Sequence, residues 1–155
     1  MKRLIPIIIS LTALLCSCTQ HDGNIGYLFG VWVMESRTLN GEPVPIDGRG
    51  IVFKFQNKIL LTEYLYENPY EQTASYGNFK HEDNELILNY LIKYDDDPNH
   101  SPINGGTNHQ PPTWLGFPYT DQPIVLKFLT LTRKEMVLQY TDNEGNVYVY
   151  SLGKV

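Results

Sequence analysis

Apolar residues in this chain recur in short runs and in strict alternation, and nowhere hold a helical period. Such runs, separated by Gly, Asn, Asp and Pro, are the pattern of antiparallel strands. Eight segments answer to it: Gly30 to Thr38, Ile51 to Phe55, Ile59 to Tyr66, Thr73 to Phe79, Glu85 to Ile92, Ile124 to Leu131, Glu135 to Tyr140 and Asn146 to Leu152. Asn40-Gly41 is a strong tight-turn pair after the first segment, and Asp142 to Gly145 turns the last hairpin. His81 to Asn84 reads as a turn, and Glu42 to Gly50 as a loop or short crossover. Mostly short connections suit an all-β, eight-stranded antiparallel up-and-down barrel, because closure removes exposed strand edges. Lys93 to Pro123 is the exception: a long Pro- and Gly-rich loop between strands five and six. Loops of that length inside a compact domain are often functional. This one carries Trp114, Leu115, Phe117 and Tyr119, and its aromatics are expected to pack over one end of the barrel as a lid. The competing reading is an insertion without a role, which surfaces tolerate well.

The start of the chain follows a different pattern. Lys2 and Arg3 precede an apolar run from Leu4 to Leu15 that carries no acid or base. A positive start and a run of this length fit a secretory signal and fall short of a membrane span; a buried opening strand is the alternative. Leu15-Cys16-Ser17-Cys18 resembles the end of a bacterial lipoprotein signal. That resemblance implies cleavage after Ser17, a diacylglyceryl thioether on Cys18 and palmitate-type acylation of the new N-terminus. Several acyl chains give stable anchoring where one is marginal. The implied organisation is a signal peptide over 1–17, a lipidated Cys18 and tether over 18–26, and a barrel domain over 27–155. Thr19 after the cysteine implies a cell-envelope protein held at the outer membrane, on either face.

Charge and cysteine content change the picture once that processing is applied. The 155 residues hold 12 basic and 17 acidic side chains, a net charge of −5. Losing Lys2 and Arg3 moves this to −7, which argues against nucleic acid as a partner. Losing Cys16 and capping Cys18 leaves no free thiol, so disulfides, thiol catalysis and thiolate metal sites all drop out. The 11 tyrosines suit strands, and equally a wet pocket mouth or a protein interface.

Gly30-Val31-Trp32, opening the first strand, is the G-x-W pattern of the lipocalin and related calycin barrels. The run from Leu129 to Leu138, the Asp142 to Gly145 turn and a Tyr-rich last strand are similar to the end of bacterial lipocalin-like lipoprotein domains. The resemblance covers about residues 27–155. It implies that Trp32 plugs the closed end of the barrel, with Gly30 letting the chain approach the ring. It also implies an arginine near the last strand packed on that tryptophan; the C-terminal third has only Arg133, whose place in the turn before the seventh strand does not match that motif.

An eight-stranded barrel has room for one small ligand, or is filled by its own side chains. Met34, Phe53, Phe55, Leu60, Tyr64, Leu88, Tyr90, Phe128, Leu138 and Tyr140 are the inward candidates for lining a ligand, or for plain core. Asp95-Asp96-Asp97 with His100 and His109 lacks the spacing of a calcium loop or a zinc site, so no metal and no cofactor is expected. Nucleophile-elbow, zincin and phosphate-loop motifs are all missing from the sequence. His21, His81, His100 and His109 fall in the tether, a turn or the long loop, away from rigid strands. The chain is therefore read as a non-enzymatic binding protein, anchored in the membrane, for a small apolar or amphipathic ligand. The rival reading is a filled barrel that contacts a protein partner or inhibits one. Catalysis by loop carboxylates is a third.

Overall fold

The computed structural model describes residues 26–68, 72–90, 111–120 and 122–155. The leader, Cys18, the tether, Asp95-Asp96-Asp97, His100 and His109 lie outside the described residues. Among the described residues nine strands follow in order: β1 (Gly30–Leu39), β2 (Glu42–Pro43), β3 (Gly50–Gln56), β4 (Ile59–Leu65), β5 (Gln72–Glu82), β6 (Glu85–Asn89), β7 (Ile124–Leu131), β8 (Glu135–Thr141) and β9 (Val147–Lys154). From β3 onward each strand pairs antiparallel with the next, and β9 returns to pair with β1 from Trp32↔Lys154 to Leu39↔Tyr148. The result is a closed, eight-stranded, up-and-down barrel. The two-residue β2 pairs with Thr38 and Leu39 of β1 and stays outside the ring, where the sequence suggested only a loop.

The hairpins are set by residues that accept a left-handed backbone. Asn40 and Gly41 both have positive φ, as a two-residue turn of the I′ kind requires. Asn57 and Asp83 take the same conformation in the β3–β4 and β5–β6 turns. The side chain of Asp142 accepts hydrogen bonds from the backbone N–H of Glu144 and of Asn146, at 2.9 and 2.8 Å, and so shapes the β8–β9 turn. Those bonds and the one from the Asn146 side chain hold the Asp142 carboxyl below the usual carboxylate range, the Asn146 side chain contributing most.

Alternation along each strand fills the interior. Trp32 and Met34, then Ile51, Phe53 and Phe55, then Leu86 and Leu88, then Ile124, Leu126 and Phe128, then Met136, Leu138 and Tyr140, and finally Tyr150 and Leu152 are all buried. Each large side chain removed from water contributes about 1.5–3 kcal/mol, and these form one contiguous core. Two strands break the alternation. The register shifts between Met34 and Ser36 in the β1–β9 ladder and between Phe128 and Thr130 in β7–β8, as a β-bulge does. At the second shift the β5–β6 turn is clamped in place, with Asn84 donating from its side-chain nitrogen to Phe128 O at 2.9 Å and accepting from Phe128 N at 2.9 Å.

One assignment needs correcting. His81 is not in a turn: β5 runs on to Glu82, and the turn is confined to Asp83 and Asn84. The imidazole stacks at a tilt on Phe128, with ring centroids 4.8 Å apart. The hairpin tightens because Glu82 can pair directly with Glu85 once Asp83 supplies positive φ.

Candidate functional site

The two ends of the barrel are closed by different means. At one end, where β1 begins and β9 finishes, Trp32 is fully buried and its indole N–H donates to the buried Leu28 carbonyl at 2.8 Å. Lys154 Nζ sits 5.0 Å from the Trp32 ring centroid and donates to Tyr27 O at 2.8 Å. Burial of its stem pulls the Lys154 amine below its ordinary range. The cation on the tryptophan is therefore Lys154, on the last strand, and not Arg133, which is exposed in the β7–β8 turn. Gly30 has a φ of 122°, and a Cβ there would stand 3.0 Å from Lys154 Cε, so glycine leaves space for the lysine stem.

The opposite end is the mouth. Tyr64 from β4, Tyr140 from β8, and Tyr148 and Tyr150 from β9 surround it, with Tyr90 just past β6. The segment 111–119 closes over them. Pro111 and Pro112 are buried, Thr113–Leu115 makes a single 3₁₀ turn, and Gly116 follows in the left-handed region with φ 85°. Any side chain at Gly116 would also run into the Tyr148 ring, whose Cε1 lies 2.5 Å from the Cβ position. This turn drives Leu115 and Phe117 inward, leaving them 1% and 2% exposed. Phe117 packs edge-on against Tyr140 and Tyr150, at 5.1 and 6.1 Å between centroids, and at a tilt against Tyr90 at 6.3 Å. Trp114 lies half-buried over Tyr64 at 5.6 Å. Tyr119 stays 73% exposed.

Two donors hold the flap backbone. The Tyr150 hydroxyl donates to Leu115 O at 2.5 Å. Arg37 Nη1 donates to Trp114 O at 2.6 Å, while its Nη2 and Nε donate to Pro45 O at 2.8 and 3.2 Å. Deeper in, the hydroxyls of Tyr90 and Thr62 share a hydrogen bond of 3.1 Å. Burial pushes the phenols of Tyr90 and Tyr150 far above the usual tyrosine range, Tyr150 being pushed further by its neighbours Tyr148 and Tyr140. Tyr64 and Tyr140 are raised as well, burial leading and nearby Asp47 or Asp142 adding to it. At neutral pH the mouth thus presents neutral O–H groups and no phenolate.

Of the residues singled out in the sequence, Tyr64, Tyr90 and Tyr140 meet Trp114 and Phe117 at the mouth. Phe53, Phe55 and Phe128 lie toward the Trp32 end, where Phe55 meets Phe79 edge-on at 5.0 Å. Met34, Leu88 and Leu138 belong to the same packed core. The sequence reading passed over Arg37 and Thr62, and it counted Leu115 with the long loop and Tyr150 among the tyrosines without placing either in the site. Tyr150 could have been found from the alternation of the last strand. Arg37 could not, because its direction depends on the bulge just before it. A separate open cleft of about 270 Å³ lies near the other end, lined by His81, Asp83, Asn84 and Phe128 to Leu131. Among the described residues no three His, Cys, Asp or Glu side chains are grouped to hold a metal.

A closed up-and-down barrel with a buried tryptophan at its first strand and a plugged mouth is of the calycin kind, a fold that generally serves binding. The chain belongs to the lipocalin-like domain family, whose sequence model matches residues 13–145. It is similar in structure to a lipocalin-like protein from Bacteroides uniformis, at 19% identity and a TM-score of 0.57, over 84% of this chain and 100% of that one. An uncharacterized protein from Bacteroides eggerthii is similar at 20% identity and a TM-score of 0.55, over 82% and 98% of the two chains. No curated protein matches the sequence.

Proposed function

We propose that this protein is a lipid-anchored, lipocalin-like binding protein of the bacterial envelope that takes a small apolar or amphipathic ligand at the barrel mouth. The observation that carries this reading is the flap. The side chains that plug the mouth, Leu115 and Phe117, come from a loop segment and not from a barrel strand. A loop can withdraw from a rigid scaffold at far smaller cost than a strand can leave its ladder. Withdrawing it opens an apolar recess rimmed by tyrosine hydroxyls, the usual lining of a small-molecule site. The anchor rests on the charged start, the apolar run and the Leu15 to Cys18 motif.

Native mass spectrometry of the full-length protein, extracted from its own envelope, tests the binding. A bound small molecule of constant mass is the expected result, and its repeated absence overturns the reading. Cys18→Ser tests the anchor: the variant should lose its acyl mass and its firm membrane association. Firm attachment without the cysteine would refute lipidation.

A further inference from the structure

The flap occupies the mouth as an amphipathic molecule would, with apolar groups inside and oxygens at the rim. Its two rim oxygens are the successive carbonyls of Trp114 and Leu115, and both are held by donors from the barrel: Arg37 Nη1 and the Tyr150 hydroxyl. These two residues are direct cross-strand partners in the β1–β9 ladder. Their pairing on one face is not accidental to the fold. Trp32 and Met34 point inward, so simple alternation would turn Arg37 outward. The bulge between Met34 and Ser36 inserts one residue, reverses the alternation and brings Arg37 onto the same side as Tyr150.

Among the described residues every side-chain hydrogen bond of Arg37 ends on a neutral backbone carbonyl, Trp114 O or Pro45 O. Of the carboxylates near the mouth, Asp142 is taken up by its own turn, and Asp47, which like Arg37 acts on Tyr64, makes no hydrogen bond to Arg37 among the described residues. When the flap leaves, a guanidinium N–H and a phenol O–H are both left without their acceptor at the edge of an apolar recess. Neither Arg37 nor a neutral Tyr150 is best completed by a donor; both call for an acceptor, and the cation for an anionic one. We infer, building on the binding role above, that the ligand's polar end is a carboxylate received by Arg37 and Tyr150, replacing the Trp114 and Leu115 carbonyls. Its apolar part replaces Leu115 and Phe117, roughly eleven side-chain carbons in a close-packed interior. A medium-chain alkyl carboxylate has that size and that single acceptor end.

The probe pair is dodecanoate and dodecanol, presented together to the full-length protein in one detergent and read by native mass spectrometry as the ratio of the two occupancies. The wild-type protein should favour the carboxylate. Arg37→Gln should lower the dodecanoate-to-dodecanol ratio about tenfold or more, the scale of one charge-assisted hydrogen bond. Because Arg37 also ties down the flap, this variant should take up dodecanol at least as well as wild type, which a merely unfolded variant would not. Arg37→Lys should restore part of the ratio. If both probes bind and Arg37→Gln leaves the ratio unchanged, the binding role stands and the carboxylate assignment is overturned. If neither probe binds to wild type, nor to Phe117→Gly with its recess emptied, both are overturned.

Discussion

The ends of this barrel solve one problem in two ways. At the Trp32 end the plug is part of the sheet: Trp32 is a β1 residue, its cation comes from β9, and its N–H is satisfied four residues upstream. At the mouth the plug is borrowed from a connection, and two side chains on the barrel hold it by its backbone. Removing the first dismantles the strand ladder, whereas removing the second leaves every ladder intact. One end therefore carries stability and the other is free to carry exchange.

Substitutions should separate the ends in that order. Trp32→Ala should cost about 3–5 kcal/mol, since it empties a fully buried site and strands the Leu28 carbonyl. Phe117→Ala removes a ring as deeply buried but should cost clearly less in urea unfolding, because the flap can detach locally. Equal losses would mean that the mouth is as integral to the fold as the closed end. Alkali should act next, and through the mouth. Tyr90 and Tyr150 have folded pKa values above the unfolded value of about 10, so the stability they confer is complete below that pH. It is then lost as pH rises toward their folded values, because the unfolded chain releases those protons first. The last part of the phenolate absorbance to appear, that of the buried phenols, and the loss of near-ultraviolet dichroism should consequently rise together above about pH 10. Separate transitions would count against burial of these phenols.

Gly116→Ala comes third. It combines a left-handed backbone with a clash against Tyr148, a strain of about 1–3 kcal/mol that releasing the flap would relieve. Limited proteolysis should then cut within 111–120 while the barrel survives; an unchanged digestion pattern would show that the flap tolerates the strain. Tyr150→Phe should have the smallest effect, about 1 kcal/mol, from one lost hydrogen bond to Leu115 O. A loss as large as that of Trp32→Ala would contradict the division between the two ends.

The barrel was legible because closure depends on features visible one strand at a time. Ile124–Leu131 stands where the alternation placed it, and Asn40-Gly41 turns as its composition dictates. The resemblance carried by Gly30 and Trp32 led to the family that the sequence match establishes. What could not be read depends on single-residue offsets between strands. A bulge leaves no mark in composition, so the direction of Arg37 was hidden. His81 looked like a turn residue only because polar neighbours follow it. Lys154 escaped notice because an arginine was sought, although any long cation at that rung of β9 can reach the Trp32 ring. The plug was half visible: its aromatics stood out, but only the 3₁₀ turn and Gly116 decide that Phe117 goes in and Tyr119 stays out.

The pairing of β9 with β1 has a consequence for how the molecule comes into being. The most distant strands in sequence are neighbours in the ring, so the seam cannot close until Val147–Lys154 has been synthesised. Until then β1 and β8 both offer open edges to other chains. Long-range pairings of this sort are slow to form, because loop-closure entropy must be overcome before the contacts return anything. A nascent chain lacking its last strand should therefore be sticky and dependent on chaperones, and shortening the protein by that one strand should convert a closed barrel into an aggregating sheet.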